Sequence, residues 1–137
     1  MRLGIIGCTK TKADRPCKAK DMYSGSYLFR LKVNYAEKHL DDWMILSSKY
    51  GLITKDKVIE PYELCLYKFN NTSIVMNKEH LRGWRAKVGS QILALNSTIV
   101  YLASKEYWTG LPRGETPLLN MRFGTQIKWL KDRVEGK

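Results

Sequence analysis

Leu3-Gly4-Ile5-Ile6-Gly7-Cys8-Thr9-Lys10-Thr11-Lys12 is the stretch that decides the fold. A continuous apolar run closed abruptly by Cys-Thr-Lys is the pattern of a strand covered on both faces by helices, as in a parallel sheet. The run is too short to span a membrane and is followed by lysines, unlike a signal peptide, so it reads as a buried first strand.

Working outward, residues 9–21 are polar, contain Pro16 and lack periodicity. They are expected to form a loop carrying Lys10, Lys12, Arg15, Lys18 and Lys20. Leu28, Leu31, Tyr35, Ala36 and His39 recur at three- and four-residue intervals, which predicts a helix over about 26–40 with Ser24 or Ser26 as N-cap. Trp43 to Ser47 is a second strand, closed by Ser47-Ser48-Lys49-Tyr50-Gly51, where the glycine permits a tight turn or a positive φ. Residues 52–76 read as a long irregular excursion, with Pro61-Tyr62-Glu63 at its centre, a short helix near Tyr62 to Leu66, and the polar Asn70-Asn71-Thr72 further on.

Leu81, Trp84, Val88, Ile92 and Leu95 form an amphipathic stripe over about 78–95, with Lys78, Arg82, Arg85 and Lys87 on the solvent face. Thr98-Ile99-Val100-Tyr101-Leu102 is a third strand, rich in β-branched and aromatic residues. A short helix after Ser104 holds Tyr107 and Trp108 and stops at Gly110; Thr116 to Leu119 is expected as a brief fourth strand, and Thr125 to Val134 as a final helix. The alternation of strands and helices predicts a single α/β domain over 1–137. Its class is a Rossmann-like three-layer αβα sandwich around a mainly parallel sheet of about four strands. The 137 residues, 44% of them hydrophobic, suffice for one core and leave no room for a second domain.

Lys and Arg number 24 against 13 Asp and Glu, a formal net charge of +11. The positive field favours DNA, RNA or a free nucleotide as partner. Cys8, Cys17 and Cys65 are odd in number and lack the paired short spacing of a zinc site, so a reduced, metal-free, cytoplasmic protein is expected, without a cofactor or a membrane partner.

In open parallel sheets ligands bind beyond the carboxyl ends of the strands, and two strand ends here are concentrated in polar residues. At the first, Cys8, Thr9, Lys10 and Lys12 offer a hydroxyl and point charges to an anionic oxygen, or are simply solvated; the glycine-rich spacing of a Walker A loop is absent. Tyr23-Ser24-Gly25-Ser26 precedes the first helix, where Ser26 is either only a cap or, with the lysine loop beside it, part of an anion seat.

At the second strand end, Ser47, Ser48, Lys49, Tyr50 and Gly51 suggest a hydrogen-bonded ligand pocket more than a serine nucleophile with a lysine base; Tyr50 either stacks on a base or fills the core. In Glu60-Pro61-Tyr62-Glu63, Glu63 is the preferred carboxylate for activating water or stabilising a cationic sugar-like transition state. The equal alternative is a surface carboxylate offsetting nearby lysines. Glu63, Lys12 and Lys49 are thus the catalytic candidates, and Lys18, Lys20, Lys78, Arg82 and Arg85 the candidate nucleic-acid surface. His39 and His80 read as helix-end or surface residues.

These motifs occur in order: Gly-Cys-Thr-Lys-Thr-Lys, then Tyr-Ser-Gly-Ser, Ser-Ser-Lys-Tyr-Gly, Glu-Pro-Tyr-Glu and a closing Gly-Thr-Gln-Ile-Lys-Trp-Leu. Over roughly residues 3–131 the chain resembles an uncharacterised family of small bacterial and phage proteins. That family is similar to YaaA-like domains and, more distantly, to domains of enzymes that modify or exchange nucleobases. The resemblance implies a Rossmann-like fold and a nucleic-acid or nucleotide association. Cys8, Thr9, Lys12, Tyr23, Ser24, Ser26, Ser47, Lys49, Gly51, Tyr62 and Glu63 stand at its characteristic positions, with Ser48 where Ala is usual.

The expected function is a base-processing enzyme acting on nucleic acid or nucleotide at an N-glycosidic bond or a modified base, on single-stranded substrate or one with an exposed base, alone or with a protein partner. The alternative is a noncatalytic nucleic-acid-binding module.

Overall fold

The computed structural model describes residues 1–66 and 74–136; Asn70-Asn71-Thr72 lies outside them. The first strand, β1 (Arg2–Gly7), is central. It pairs in parallel with β3 (Asp42–Ser47) on one side and with β8 (Thr98–Leu102) on the other. β4 (Gly51–Ile53) pairs antiparallel with β3, so the main sheet runs β4-β3-β1-β8, mixed but mostly parallel.

Two helices cover one face and one covers the other. α2 (Tyr27–His39) and α5 (Phe123–Glu135) pack on the side that takes Ile6, Ile45, Val100 and Leu102. α3 (Lys78–Leu95) lies on the side of Leu3, Ile5, Leu46, Ile99 and Tyr101, into which it inserts Trp84, Val88 and Ile92. The alternation along β1 produces this division, because successive side chains point to opposite faces. With helices on both faces of the sheet, the arrangement is a three-layer α/β sandwich. Among the described residues no helix is long and apolar enough to cross a membrane.

Three expectations change. The 9–21 segment holds a two-residue strand, β2 (Cys17–Lys18), paired with β5 (Val58–Ile59), and a single helical turn, α1 (Ala19–Met22). No helix forms near Tyr62 to Leu66. Leu64–Cys65 is a short strand, β6, parallel to β7 (Ile74–Val75), because tertiary donors take its carbonyls: Ser48 Oγ reaches the oxygen of Leu64 at 2.6 Å and Met76 N that of Cys65 at 2.8 Å. The fourth strand of the sheet is β4 and not Thr116 to Leu119, which form a turn from Pro117 onward. Pro117 has no N–H to give a ladder, and among the described residues the only contribution there is a single bridge from Glu115 to Val100 on the outer side of β8.

That bridge needs Gly114. A Cβ there would lie 2.8 Å from the carbonyl oxygen of Ile99 and 2.8 Å from the ring of Tyr101, so neither neighbour yields cheaply. Gly114→Ala is expected to destabilise the protein by about 1–3 kcal/mol in urea denaturation. An unchanged midpoint would mean that the Glu115 bridge opens without cost. α4 (Lys105–Trp108) follows β8 and carries Tyr107 toward the site.

Candidate functional site

The chain leaves β1 for β3 on one side and later returns by α3 to β8 on the other, so the direction of winding reverses between β1 and β8. The carboxyl ends at such a switch point diverge and leave a crevice. A cavity of about 350 Å³ occupies it, within the size range of small-ligand sites. Gly7 to Lys10 form its floor, Ala103, Ser104 and Tyr107 one wall, Leu28 and Lys32 of α2 another, and Gln126 and Cys65 its rim. A larger open depression of about 520 Å³ lies at the opposite, amino end of the strands, where Arg113 is the one charged side chain in its lining.

Cys8 is the chemical centre of the floor. Its sulfur lies 3.7 Å from Ser48 Oγ, to which it donates, and 3.1 Å from Tyr107 Oη. A thiol has one proton; with that proton on Ser48, Tyr107 is the donor to sulfur. Ser48, 1% exposed, donates in turn to the oxygen of Leu64. Lys32 is the surprise of the wall. It is 9% exposed, and among the described residues no carboxylate pairs with it. Burial pushes its ammonium down from the ordinary 10.5 to about 8, opposed in part by Cys8.

The second strand end builds a separate, supporting cluster. Ser47 is fully buried; its Oγ accepts from the N–H of Lys49 at 3.2 Å and of Tyr50 at 3.0 Å, and lies 2.7 Å from Tyr62 Oη. Two accepted bonds fill the hydroxyl's lone pairs, so Ser47 donates to Tyr62. Tyr62 Oη is also 2.6 Å from Tyr23 Oη. Desolvation holds both phenols well above their ordinary range. From the opposite face of the sheet Trp84 Nε1 donates to the carbonyl of Ser47 at 2.9 Å. Gly51 closes the turn at φ +77°, a left-handed conformation that favours glycine.

Of the residues singled out in the sequence, Cys8, Thr9 and Lys10 line the crevice. Thr9 Oγ1 already donates to Thr11 O at 2.7 Å. Lys12 lies 4.5 Å from the centre of the Tyr62 ring, and desolvation lowers its ammonium while the charges of Cys8, Cys65 and Glu63 oppose the shift. Glu63 is exposed and does not line the crevice. Lys49 is exposed, its ammonium 5.2 Å from the Tyr50 ring, and Tyr50 packs edge-on against Tyr62 while its Oη accepts from Glu60 N.

Ser26 caps α2 by accepting from Phe29 N, and Ser24 donates to Asp21 O. Lys18 and Lys20 are within 4.0 and 3.7 Å of Asp56. Lys78, Arg82 and Arg85 flank a shallow groove on α3 around Leu81, and Arg85 Nε is buried there with no hydrogen-bond partner.

Lys32, Tyr107 and Gln126 were not singled out. Lys32 carried a readable signal: it stands four residues from both Leu28 and Ala36, within the apolar stripe of its helix, where a lysine is out of place. Tyr107 and Gln126 carried none, since only the strand order brings α4 and α5 to the end of β1.

Among the described residues no group of three His, Cys, Asp or Glu could hold a metal ion. Comparison with curated proteins and with solved structures finds no match. A family model described as a family of unknown function, DUF6884, matches residues 3–132, and the chain belongs to that family.

Proposed function

We propose that this protein is a base-processing enzyme that takes a nucleotide, or a nucleotide unit of single-stranded DNA or RNA, into the crevice between β1 and β8. The observation that carries the reading is the crevice itself: a ligand-sized cavity at the switch point, with two thiols and two lysines in its lining and no carboxylate, in a chain of net charge +11. The family that the sequence motifs resemble, similar to YaaA-like domains and more distantly to domains of nucleobase-modifying enzymes, points to the same choice.

The reacting centre is an N-glycosidic bond or a modified base. In the hydrolytic form the C1′–N bond breaks, water adds its oxygen to C1′, and the base leaves with a proton. Glu63 lies outside the crevice lining, so in this reading the bound unit extends from the crevice past Lys12 toward Tyr62, where Glu63 serves the water or the developing positive charge. A single-stranded substrate, or a protein partner that opens a duplex, supplies the exposed base, since so small a domain has little surface with which to unstack one. Free thiols fit a reducing compartment, and we place the protein in the cytoplasm.

The test is incubation with single-stranded DNA, single-stranded RNA and free nucleotides, followed by chromatography and mass spectrometry for released or altered base. Product from the wild type, and at least about a hundredfold less from Glu63→Gln with retained binding, is the expected result. Unchanged turnover in that variant removes Glu63 from the reaction. Binding with no product favours the second reading, a noncatalytic nucleic-acid module, for which the basic groove on α3 speaks. In that case Arg82→Ala and Lys78→Ala lower the salt slope of binding by about one phosphate contact each.

A further inference from the structure

A lysine buried in the wall of a ligand-sized cavity, without a carboxylate to balance it, leaves a positive site that is complete only when something else brings the negative charge. Here we infer that Lys32 is the anion-binding group of the crevice and that the ligand presents a phosphate to it. The choice of phosphate over another anion rests on the base-processing reading above.

The surroundings of Lys32 leave this role to an incoming group. The titratable groups that face it are Cys8 and Lys10 from the end of β1, Cys65 from β6 and Tyr107 from α4; α5 contributes the neutral Gln126, whose amide already donates to Met121 O. None of these is a carboxylate, and a second lysine adds to the positive potential. Lys10, exposed, is the second lysine of the lining, so the crevice draws cations from both α2 and the end of β1. A point charge on a flexible stem suits phosphate oxygens without fixing one orientation.

Burial keeps the Lys32 ammonium at about 8, so at pH 9 most of the unliganded protein holds the neutral amine. A phosphate dianion beside it favours the charged form and draws a proton from solution. Binding is therefore accompanied by proton uptake, and affinity falls as pH rises above the unliganded value.

The experiment is calorimetric titration of the full chain at pH 9, in two buffers of different ionisation heat, with the four 2′-deoxynucleoside 5′-monophosphates and the matching nucleosides. At least one nucleotide should bind more than about tenfold tighter than its nucleoside, with uptake approaching one proton. In Lys32→Met the preference for nucleotide over nucleoside is lost and the uptake disappears, while Lys87→Met, on α3 and outside the crevice lining, keeps both.

Equal binding of nucleotide and nucleoside, full nucleotide affinity in Lys32→Met, or no binding of any nucleotide by the wild type each overturns the inference. Its fate is separable from that of the proposed function. Lys32-dependent nucleotide binding without any altered base keeps the anchor and removes the enzyme, whereas base processing that survives Lys32→Met with unchanged KM keeps the enzyme and removes the anchor.

Discussion

Lys32→Met is expected to make the unliganded protein more stable at pH 7, by up to about 3 kcal/mol. The side chain is 9% exposed, and methionine keeps most of its aliphatic length in the same space between α2 and the end of β1. What the substitution removes is the cost of holding an ammonium out of water. The fall from 10.5 to about 8 measures that cost, at about 1.4 kcal/mol per pH unit.

The sign follows from proton counts. Below about pH 8 both folded and unfolded chains carry the Lys32 proton and the folded state bears the full penalty. Between about 8 and 10.5 the folded chain has released the proton and the unfolded chain still holds it, so stability rises with pH. Above 10.5 both are neutral and the penalty is gone.

The wild type should therefore gain on Lys32→Met through that window, and the advantage of the variant should close. The buried phenols of Tyr23 and Tyr62 resist ionisation in the folded state and erode stability at high pH, but they do so in both proteins and cancel in the difference. Urea denaturation of both proteins at pH 7, 8, 9 and 10 measures it. A variant less stable than wild type at pH 7 would show that the fold already compensates the Lys32 charge. A residue that costs stability and sits in a cavity is the usual signature of a site kept for a ligand.

How the sequence discloses such a site depends on which interactions are local. β1, α2, α3 and β8 were legible because each carries its own period or apolar run, and the polar closure Cys8-Thr9-Lys10 marked the end of a strand wherever that strand lay. β4 was not legible: Gly-Leu-Ile is too short to show a period, and it is a strand only because the turn at Ser47 to Gly51 folds it back on β3. Thr116 to Leu119 looked like a strand by composition, and the proline in it settled otherwise.

Of the two polar strand ends, the crevice takes up the first, Cys8 to Lys10, and opens between the first strand and the last. Alternation of elements fixes the layers but not the order of strands in the sheet. Once β8 stands beside β1, the crevice moves to that side, and Ser47 to Tyr50 become its support.

That supporting role predicts the other large effect. Ser47→Ala should destabilise the protein by about 2–4 kcal/mol, because one buried hydroxyl serves three partners: the N–H of Lys49, the N–H of Tyr50 and the phenol of Tyr62. A buried donor or acceptor left without a partner costs about 1–3 kcal/mol; Lys49 is exposed, so water relieves part of the loss there. Tyr62→Phe should cost about 1–3 kcal/mol by stranding the hydroxyls of Ser47 and Tyr23.

The double variant should cost less than the sum by about 1 kcal/mol or more, since the Ser47–Tyr62 bond is lost only once. Additivity within about 0.5 kcal/mol in urea denaturation would mean that the two hydroxyls act independently. The same series separates support from chemistry. A nucleophilic Ser47 would lose turnover on substitution by Ala with stability intact, yet its lone pairs already accept two backbone N–H groups and its proton goes to a phenol held neutral by burial. Loss of stability and of turnover together, in Ser47→Ala and Tyr62→Phe alike, is the outcome of a cluster that fixes the path from the β3 turn to Leu64 and Cys65. Through that path Ser48 is aligned between the Cys8 thiol and Leu64, and Cys65 is set at the rim of the crevice.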